Sequence, residues 1–115
     1  MPVEHPLPED LVELIAARFR ALADPTRIRL LDRLRDGEAS VQELTDGIGS
    51  TQQNVSKHLG VLRLAGVVRR RKEGNHVYYA VADEGVFSLC EIVCGSLREQ
   101  LDALHLVVAG VGGRP

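Results

Sequence analysis

Residues 40–81 read SVQELTDGIGSTQQNVSKHLGVLRLAGVVRRRKEGNHVYYAV. This segment opens with two short amphipathic stretches that glycines separate. Each stretch begins with the Ser-x-x-Glu or Ser-x-x-Gln spacing of a helix-capping box, which pairs Ser40 with Glu43 and Ser50 with Gln53. Two short helices joined by a tight turn make a helix-turn-helix. The segment up to residue 65 therefore predicts this motif.

The remainder of the segment has the pattern of a β-hairpin. Residues 67–72 predict one strand and residues 73–75 predict a turn. Val77, Tyr79 and Val81 then predict the inward side of a returning strand. A hairpin directly after the second helix of a helix-turn-helix is a wing. The whole segment thus predicts a winged helix-turn-helix.

Two more helices are predicted upstream of this segment. One runs from near Pro8 to about Ala23, and the next begins at Pro25, after the capping residue Asp24, and ends at Gly37. The predicted inward residues are Leu11, Ile15, Phe19 and Leu22 in the first helix and Ile28, Leu31 and Leu34 in the second. We therefore expect a mainly α-helical chain with one small β-hairpin.

A long last helix is predicted after Asp83, and its apolar face is unusually wide. Leu89 and Ile92 extend the stripe beyond the width that one small core needs. The stripe itself consists of Val86, Cys90, Val93, Cys94, Leu97, Leu101, Leu104 and Val108. The excess apolar width gives the chain a physical reason to form a homodimer.

Length and composition predict one domain. The 115 residues are 44% apolar and 26% charged, and two Phe, two Tyr and no Trp make an aliphatic core. No apolar run approaches the about 20 residues of a membrane span, and the start of the chain lacks a secretion signal. We expect a cytoplasmic protein without a membrane partner, with an N-terminal arm (1–10), one domain (11–108) and a flexible tail (109–115).

Basic residues are concentrated in the helix-turn-helix and the hairpin. Residues 51–81 contain six Lys or Arg and one Glu, a balance of +5, whereas the remainder contains eight basic and fifteen acidic residues, a balance of −7. A local basic patch on an acidic protein suits a polyanion that is bound in one orientation. The alternative is a solvated, Arg-rich hairpin.

The sequence contains no pattern typical of an enzyme. Its four histidines are dispersed, and it has neither a glycine-rich phosphate loop nor a nucleophile paired with a base. We therefore expect no catalytic activity.

Two stretches, ALADPTRIRLLDRLRDGEASVQEL and STQQNVSKHLGVLRLAGVVRRRKEGNHVYYAV, resemble the ArsR/SmtB family of bacterial winged-helix transcriptional regulators. The resemblance covers roughly residues 11–108, and it is most specific at ALADPTRIRLL, NVSKHLGVLRLAGVV and KEGNHVYY. It implies five helices with a two-stranded wing and repression at a double-stranded DNA operator. It also implies a homodimer through the first and last helices, where the candidate interface residues are Leu11, Ile15, Leu89, Val93, Leu97, Leu101 and Leu104.

The second helix of the motif has the division of residues that a recognition helix needs. Val55, Leu59 and Leu62 are predicted to lie inward, and the outward candidates for DNA contact are Thr51, Gln52, Gln53, Ser56, Lys57 and His58. Glutamine pairs bidentately with adenine, and lysine reaches guanine or phosphate. Arg63 is either a phosphate contact or a surface residue. For Gln53 the alternative is a capping role, and for Ser56 and His58 it is a structural or solvated one.

The wing adds further candidates. Strand alternation sends Arg69 and Arg71 to one side and Arg70 and Lys72 to the other, so not all four can approach one DNA groove. The candidate wing contacts are Arg70, Lys72 and, at the tip, Asn75 and His76. The alternative is a solubilising hairpin that blunts an edge strand.

Cys90 and Cys94 are the candidate effector site. Their i, i+4 spacing puts both thiols on one helix face, about 5–6 Å apart. Thiolates at this spacing can chelate arsenite, zinc or copper(I), with further ligands supplied across a dimer interface. A disulfide within the helix would be strained, so redox sensing would need local unwinding or a thiol of the partner chain. The alternative is that both cysteines are packing residues.

The resemblance supplies no other effector site. The third-helix site of the family needs a cysteine, and EASVQEL has none. The last-helix site needs two histidines, and the corresponding positions are Asp83, Gly85, Ser96 and Glu99. Two alternatives therefore stay open. One is a regulator without its own effector site, either an activator or a protein whose effector is held by a partner protein, and the other is a protein-binding winged-helix module.

Overall fold

The computed structural model describes the backbone of residues 4–112 and the side chains of residues 4–106. The elements in chain order are α1 (Glu9–Leu22), α2 (Pro25–Leu34), β1 (Ala39–Ser40), α3 (Val41–Ile48), α4 (Gln52–Leu64), β2 (Val68–Glu73), β3 (His76–Val81) and α5 (Gly85–Gly112). Two compact units are present, one ending at Asp83 and one beginning at Glu84. The five predicted helices are all found within the described residues.

Two helices begin at the capping residues that the sequence predicts. At α2, the Asp24 carboxylate accepts hydrogen bonds from the backbone N–H groups of Thr26 (2.8 Å) and Arg27 (3.1 Å). At α3, Ser40 Oγ accepts from the N–H of Glu43 (3.1 Å), and Glu43 Oε1 accepts from the N–H of Ser40 (3.0 Å). First-turn N–H groups have no partner inside a helix, so these caps fix where α2 and α3 begin.

The predicted capping box of α4 is wrong by one residue. The N-cap is Thr51, whose hydroxyl accepts from the N–H of Asn54 at 3.1 Å. Ser50 instead accepts from the side-chain amide of Asn54 at 2.9 Å. Gly49 ends α3 in the left-handed conformation (φ 74°), and Ser50 is part of the turn that follows. Since Thr51 and Ser50 are both hydroxyl residues, only the tertiary path of the turn decides between them, and Gln53 takes no part in the cap.

α2 ends earlier than its predicted stop at Gly37. The segment after Leu34 makes hydrogen bonds to carbonyls three residues back, so α2 tightens and ends before Gly37. α1 begins at Glu9, in agreement with the predicted start near Pro8, and α5 continues to Gly112, past residue 108. Residues 1–3 and 113–115 lie outside the described residues, as does the side chain of Val108. The limits 1–10, 11–108 and 109–115 stay predictions.

The sheet has three strands where the sequence predicts two. β3 lies in the centre and pairs antiparallel with both β1 and β2. β1 has only two residues, and its register sets Ala39 opposite Tyr79. A two-residue strand has no alternation to detect, because only pairing with β3 makes it a strand. We refer to β2, β3 and their turn (residues 68–81) as the wing.

The core of the first unit is aliphatic, as the composition predicts. Its fully buried side chains include Leu30, Leu31, Leu44, Val55, Leu59, Leu62 and Val67. The prediction that Ile28 and Phe19 lie inward is wrong, because they are 49% and 52% exposed. The inward face of α2 is centred on Leu30, Leu31 and Leu34 instead. Leu11 and Ile15 of α1 are half-buried.

α5 makes up most of the second unit, and its described side chains are exposed from residue 91 onward. All side chains from residue 91 to residue 106 are exposed. The large apolar ones are Ile92, Val93, Leu97, Leu101, Leu104 and Leu106. Within residues 4–112, no helix has the length and apolarity that a membrane crossing requires.

Candidate nucleic-acid interface

A groove of about 1130 Å³ lies between α4 and the wing, with α3 at one side. Seven of the eleven predicted DNA contacts line it, namely Gln52, Ser56, Lys57, Arg63, Arg70, Asn75 and His76. Thr51, Gln53, His58 and Lys72 do not. Two consecutive elements of the chain, α4 and the wing, thus bring most of the predicted contacts to one surface. The groove therefore joins the two parts of the predicted interface, the recognition helix and the wing tip.

The outward face of α4 is polar, and its inward face is fully buried. Val55, Leu59 and Leu62 have no exposed surface, as the helical spacing predicts. The exposed polar side chains of α4 and its N-cap are Thr51, Gln52, Gln53, Ser56, Lys57 and Arg63. The apolar anchors hold the helix on the core, so its amide, hydroxyl and ammonium groups are available to an outside partner.

The prediction that His58 lies outward is wrong. The residue is only 9% exposed, and its Nδ1 lies 3.1 Å from Nη1 of Arg27 on α2. The Asp24 carboxylate is 3.8 Å from the same nitrogen. The helical spacing of the sequence places His58 at the border between the two faces of α4, and the polar group on α2 draws it inward. His58 therefore does not line the groove.

One face of the wing uses its arginines to bind the protein itself. Arg71 donates two hydrogen bonds to Glu38 (2.7 and 2.8 Å) and one to Glu73 (2.8 Å), and its guanidinium stacks 4.5 Å from the ring centre of Tyr78. These hydrogen bonds raise the pKa of Arg71 and lower the pKa of the Glu38 carboxyl. On the same face, Arg69 donates to the carbonyl of Val81 at 2.9 Å.

The opposite face of the wing carries Arg70 and Lys72, in agreement with the predicted alternation. Arg70 lies opposite Tyr79 in the strand register, and both residues line the groove. Within the part of the chain that the structure describes, no carboxylate forms an ion pair with Arg70, Lys72, Lys57 or Arg63. The positive charge on the groove side is thus not neutralised by an ion pair with any described carboxylate.

Sequence reasoning missed some of the residues that line the groove. Gly60 lies on the same side of α4 as Gln52 and Ser56, at successive intervals of four residues, and a side chain at this position would meet open space. That spacing is visible in the sequence and could have identified Gly60. Leu64 also lines the groove and is 93% exposed. Its exposure depends on where α4 ends, which the sequence indicates less clearly.

The candidate effector cysteines both lie on α5. Cys90 is half-buried, Cys94 is exposed, and neither forms a disulfide. Among the described residues, no group of three or more His, Cys, Asp or Glu side chains is arranged to hold a metal ion. The described part of one chain therefore offers two thiols without a third ligand arranged beside them, so a metal bound here needs ligands from elsewhere.

The sequence is similar to known regulators over most of its length. Residues 22–71, from the end of α1 into β2, match the family described as "Helix-turn-helix domain". The chain is 44% identical over 84 residues to the HTH-type transcriptional regulator KmtR of Mycobacterium tuberculosis, a match that covers 73% of this chain and 65% of KmtR. It is 37% identical over 90 residues to a transcriptional repressor SmtB homolog of Synechocystis sp., with 78% of this chain and 68% of that protein covered.

A solved structure has the same fold. It is the homodimeric winged helix-turn-helix DNA-binding domain Mb0332 of Mycobacterium bovis, described as "a possible ArsR-family transcriptional regulator". The TM-score is 0.75 at 29% identity, and the match covers 87% of this chain and 95% of that one. The chain belongs to the ArsR/SmtB family of winged helix-turn-helix transcriptional regulators. These similarities confirm the resemblance to the family. They also confirm the prediction that the chain is a regulator and not an enzyme.

Proposed function

We propose that the chain is a sequence-specific repressor that binds double-stranded DNA as a homodimer, with α4 in the major groove and the wing against the adjacent backbone. The observation that carries this proposal is the distribution of charge on the wing. Arg69 and Arg71 are engaged by protein groups, whereas Arg70 faces the groove beside Lys57 and Arg63 without an ion pair among the described residues. Cations held this way suit the regular negative charge of a DNA backbone.

The face of α4 supplies groups that distinguish bases. Gln52, Gln53 and Ser56 are exposed in the first turns of the helix, which is the part of a recognition helix that meets base edges. A glutamine amide forms two hydrogen bonds with adenine, and a hydroxyl serves as donor or acceptor. Phosphate contacts from Lys57 and Arg70 would fix the register of these groups along the duplex.

Exposed apolar side chains support the dimer. Leu14 and Phe19 of α1 are 67% and 52% exposed, and Leu97, Leu101 and Leu104 of α5 are about half exposed. Exposed apolar surface of this kind is typical of an interface. The similar domain from M. bovis is a homodimer. We propose that the predicted interface residues cover one another in a symmetric dimer, which would read two half-sites about one helical turn of DNA, or a multiple of it, apart.

The finer part of the proposal concerns release from DNA. Cys90 and Cys94 would bind arsenite, zinc or another thiophilic ion, or respond to an oxidant, because both thiols are free and lie about one helical turn apart on α5. Because the described part of one chain offers no third ligand, the second copy would complete a metal site. The test is release from DNA by arsenite, zinc, copper(I) and peroxide, for the wild type and for Cys90→Ser with Cys94→Ser. Unchanged release in the double variant would exclude this pair as the sensor.

The proposed DNA binding is tested with the duplex upstream of the chain's own coding sequence. We expect binding that weakens steeply with salt and that exceeds binding to a random duplex by about 1,000-fold or more. Footprinting should reveal two protected half-sites. Equal affinity for both duplexes would instead favour a protein-binding winged-helix module. Specific binding that no agent releases would favour a regulator whose effector, if one exists, is held by a partner protein.

A further inference from the structure

A polar cluster on the inner side of α4 joins three helices. Arg27, in the first turn of α2, donates from Nε to the carbonyl of Ala21 (2.7 Å) and from Nη2 to the carbonyl of Arg20 (3.4 Å). Both carbonyls belong to the last turn of α1. The Nη1 atom of the same side chain lies 3.1 Å from Nδ1 of His58 on α4. One guanidinium therefore contacts the end of α1 and the middle of α4 from its place on α2.

The chemistry of the pair determines the direction of its hydrogen bond. A guanidinium can only donate, so in a hydrogen bond between the two side chains Nδ1 of His58 is the acceptor. The Asp24 carboxylate, 3.8 Å from Nδ1, already accepts from two backbone N–H groups. Because His58 is only 9% exposed, water competes weakly for this bond.

The hydrogen bond between Arg27 and His58 depends on orientation, unlike the apolar contacts that hold α4 on the core. The side chains that bury α4 are Val55, Leu59 and Leu62, and apolar packing tolerates small rotations of a helix. Among the described residues, the contact of His58 with Arg27 is the only side-chain hydrogen bond from α4 to another helix. A rotation of α4 about its axis that moved His58 would also move its neighbour Lys57 and the base-reading residues.

We propose that Arg27 and His58 are positioning residues, which set the rotation of α4 relative to α1 and α2 and so aim its outward side chains at DNA. The inference rests on the proposed function, since it assumes that α4 reads DNA. It assigns His58 a role in binding without any contact to DNA. It also ties the orientation of α4 to the end of α1, the helix for which we propose a part in the dimer.

The test compares variants of both residues with a matched control. In His58→Leu the site stays filled but the acceptor is lost, whereas His58→Asn keeps an acceptor close to the position of Nδ1. Arg27→Gln removes the donor, and Arg29→Gln makes the same change at an exposed position of α2. Operator affinity is measured over a salt series, and thermal melting verifies that each variant folds.

We expect His58→Leu and Arg27→Gln to weaken operator binding about tenfold, with melting temperatures that do not account for the loss. The double variant should bind the operator no more weakly than the weaker of the two single variants, because both substitutions remove the same hydrogen bond. The conservative His58→Asn should recover most of the affinity, and Arg29→Gln should lose less than Arg27→Gln. The slope of log affinity against log salt should be unchanged in His58→Leu, because no phosphate contact is lost.

Two results would overturn the proposal. One is wild-type affinity in His58→Leu, and the other is a salt slope reduced by about one, which would make His58 a direct phosphate contact. Hydrogen exchange of the DNA-free protein gives a separate readout, in which α4 amides should exchange faster in His58→Leu and Arg27→Gln but not in Arg29→Gln. Unchanged exchange of the α4 amides in His58→Leu and Arg27→Gln would reject the proposed role of this pair in holding α4. If the wild type does not prefer its operator over a random duplex, the proposed function is refuted. The exchange data would then still show whether Arg27 and His58 hold α4 in place.

Discussion

The two faces of the wing carry the same type of residue in opposite situations. Arg71 is held by Glu38, Glu73 and the ring of Tyr78, and its charge is neutralised by these two carboxylates at the protein surface. Arg70 is the preceding residue, but it faces the groove and has no ion pair among the described residues. A run of basic residues is thus divided by strand alternation into a group that stabilises the wing and a group that is available to a ligand. Local charge alone does not identify a binding residue.

The largest expected effect separates Arg70 from its neighbour Arg69. Arg70→Gln should weaken DNA binding about tenfold at 0.1 M salt and lower the magnitude of the salt slope by about one, because one phosphate contact is lost. Arg69→Gln makes the same change on the other face, where the side chain donates to a backbone carbonyl, and it should leave the slope unchanged. Fluorescence anisotropy over a salt series measures both. Equal slopes for the two variants would refute the division of the wing.

The second prediction examines the groove at α4 with a pair of glycines. Gly60 and Gly47 both lie inside helices, and an added Cβ would meet open space at each. Replacing either glycine with alanine should raise the free energy of unfolding by about 0.5–1 kcal/mol, because alanine has the higher helix propensity. Only Gly60→Ala puts a methyl group into the groove, so it alone should weaken DNA binding, by roughly threefold to tenfold for a small steric conflict. Weaker DNA binding by Gly47→Ala, or unchanged DNA binding by Gly60→Ala, would contradict the docking geometry.

A third prediction concerns the stabilising face of the wing. Arg71→Gln should lower the melting temperature by about 4 °C at neutral pH, because a half-exposed pair contributes modestly, and DNA binding should stay within about threefold of the wild type. The folded protein holds the pKa of Glu38 below its ordinary value of 4.5, mainly through the Arg71 hydrogen bond. The stabilisation is therefore present above that value and is lost as the pH falls through the lowered folded-state pKa.

Melting curves across pH check this sign. The difference in melting temperature between the wild type and Arg71→Gln should shrink on acidification. The same difference, measured in a Glu38→Gln background, should depend less on pH in that range. A difference that grew at low pH would exclude the Glu38 pair as its source.

The smallest expected effect concerns the two hydroxyl residues before α4. Thr51→Ala should destabilise the protein by about 1 kcal/mol, since it removes the N-cap, whereas Thr51→Ser should keep most of the stability. Ser50→Ala should cost less, because Ser50 bonds only the side chain of Asn54. Urea denaturation measures the free energies of unfolding. A larger loss of unfolding free energy in Ser50→Ala than in Thr51→Ala would support Ser50 as the N-cap, as the sequence spacing predicts.

The local features of this protein follow from short stretches of its amino-acid sequence. Asp24 and Ser40 cap helices because they have a suitable side chain next to N–H groups that lack partners, and the apolar period of α4 buries Val55, Leu59 and Leu62. The alternation of side chains along β2 likewise places Arg70 and Arg71 on opposite faces of the wing. These features depend only on residues that are close together in the chain.

The tertiary structure decided the features that depend on distant partners. β1 is a strand only because β3 lies beside it, and the partner of His58 is Arg27, which is 31 residues away in the chain. Glu38 and Arg71 are 33 residues apart in the chain, so their pairing, which takes Arg71 out of the basic surface, has no local signal. The groove itself exists because packing brings α4 and the wing together. Contacts between separated segments are set by the whole fold, and no short stretch of sequence encodes them.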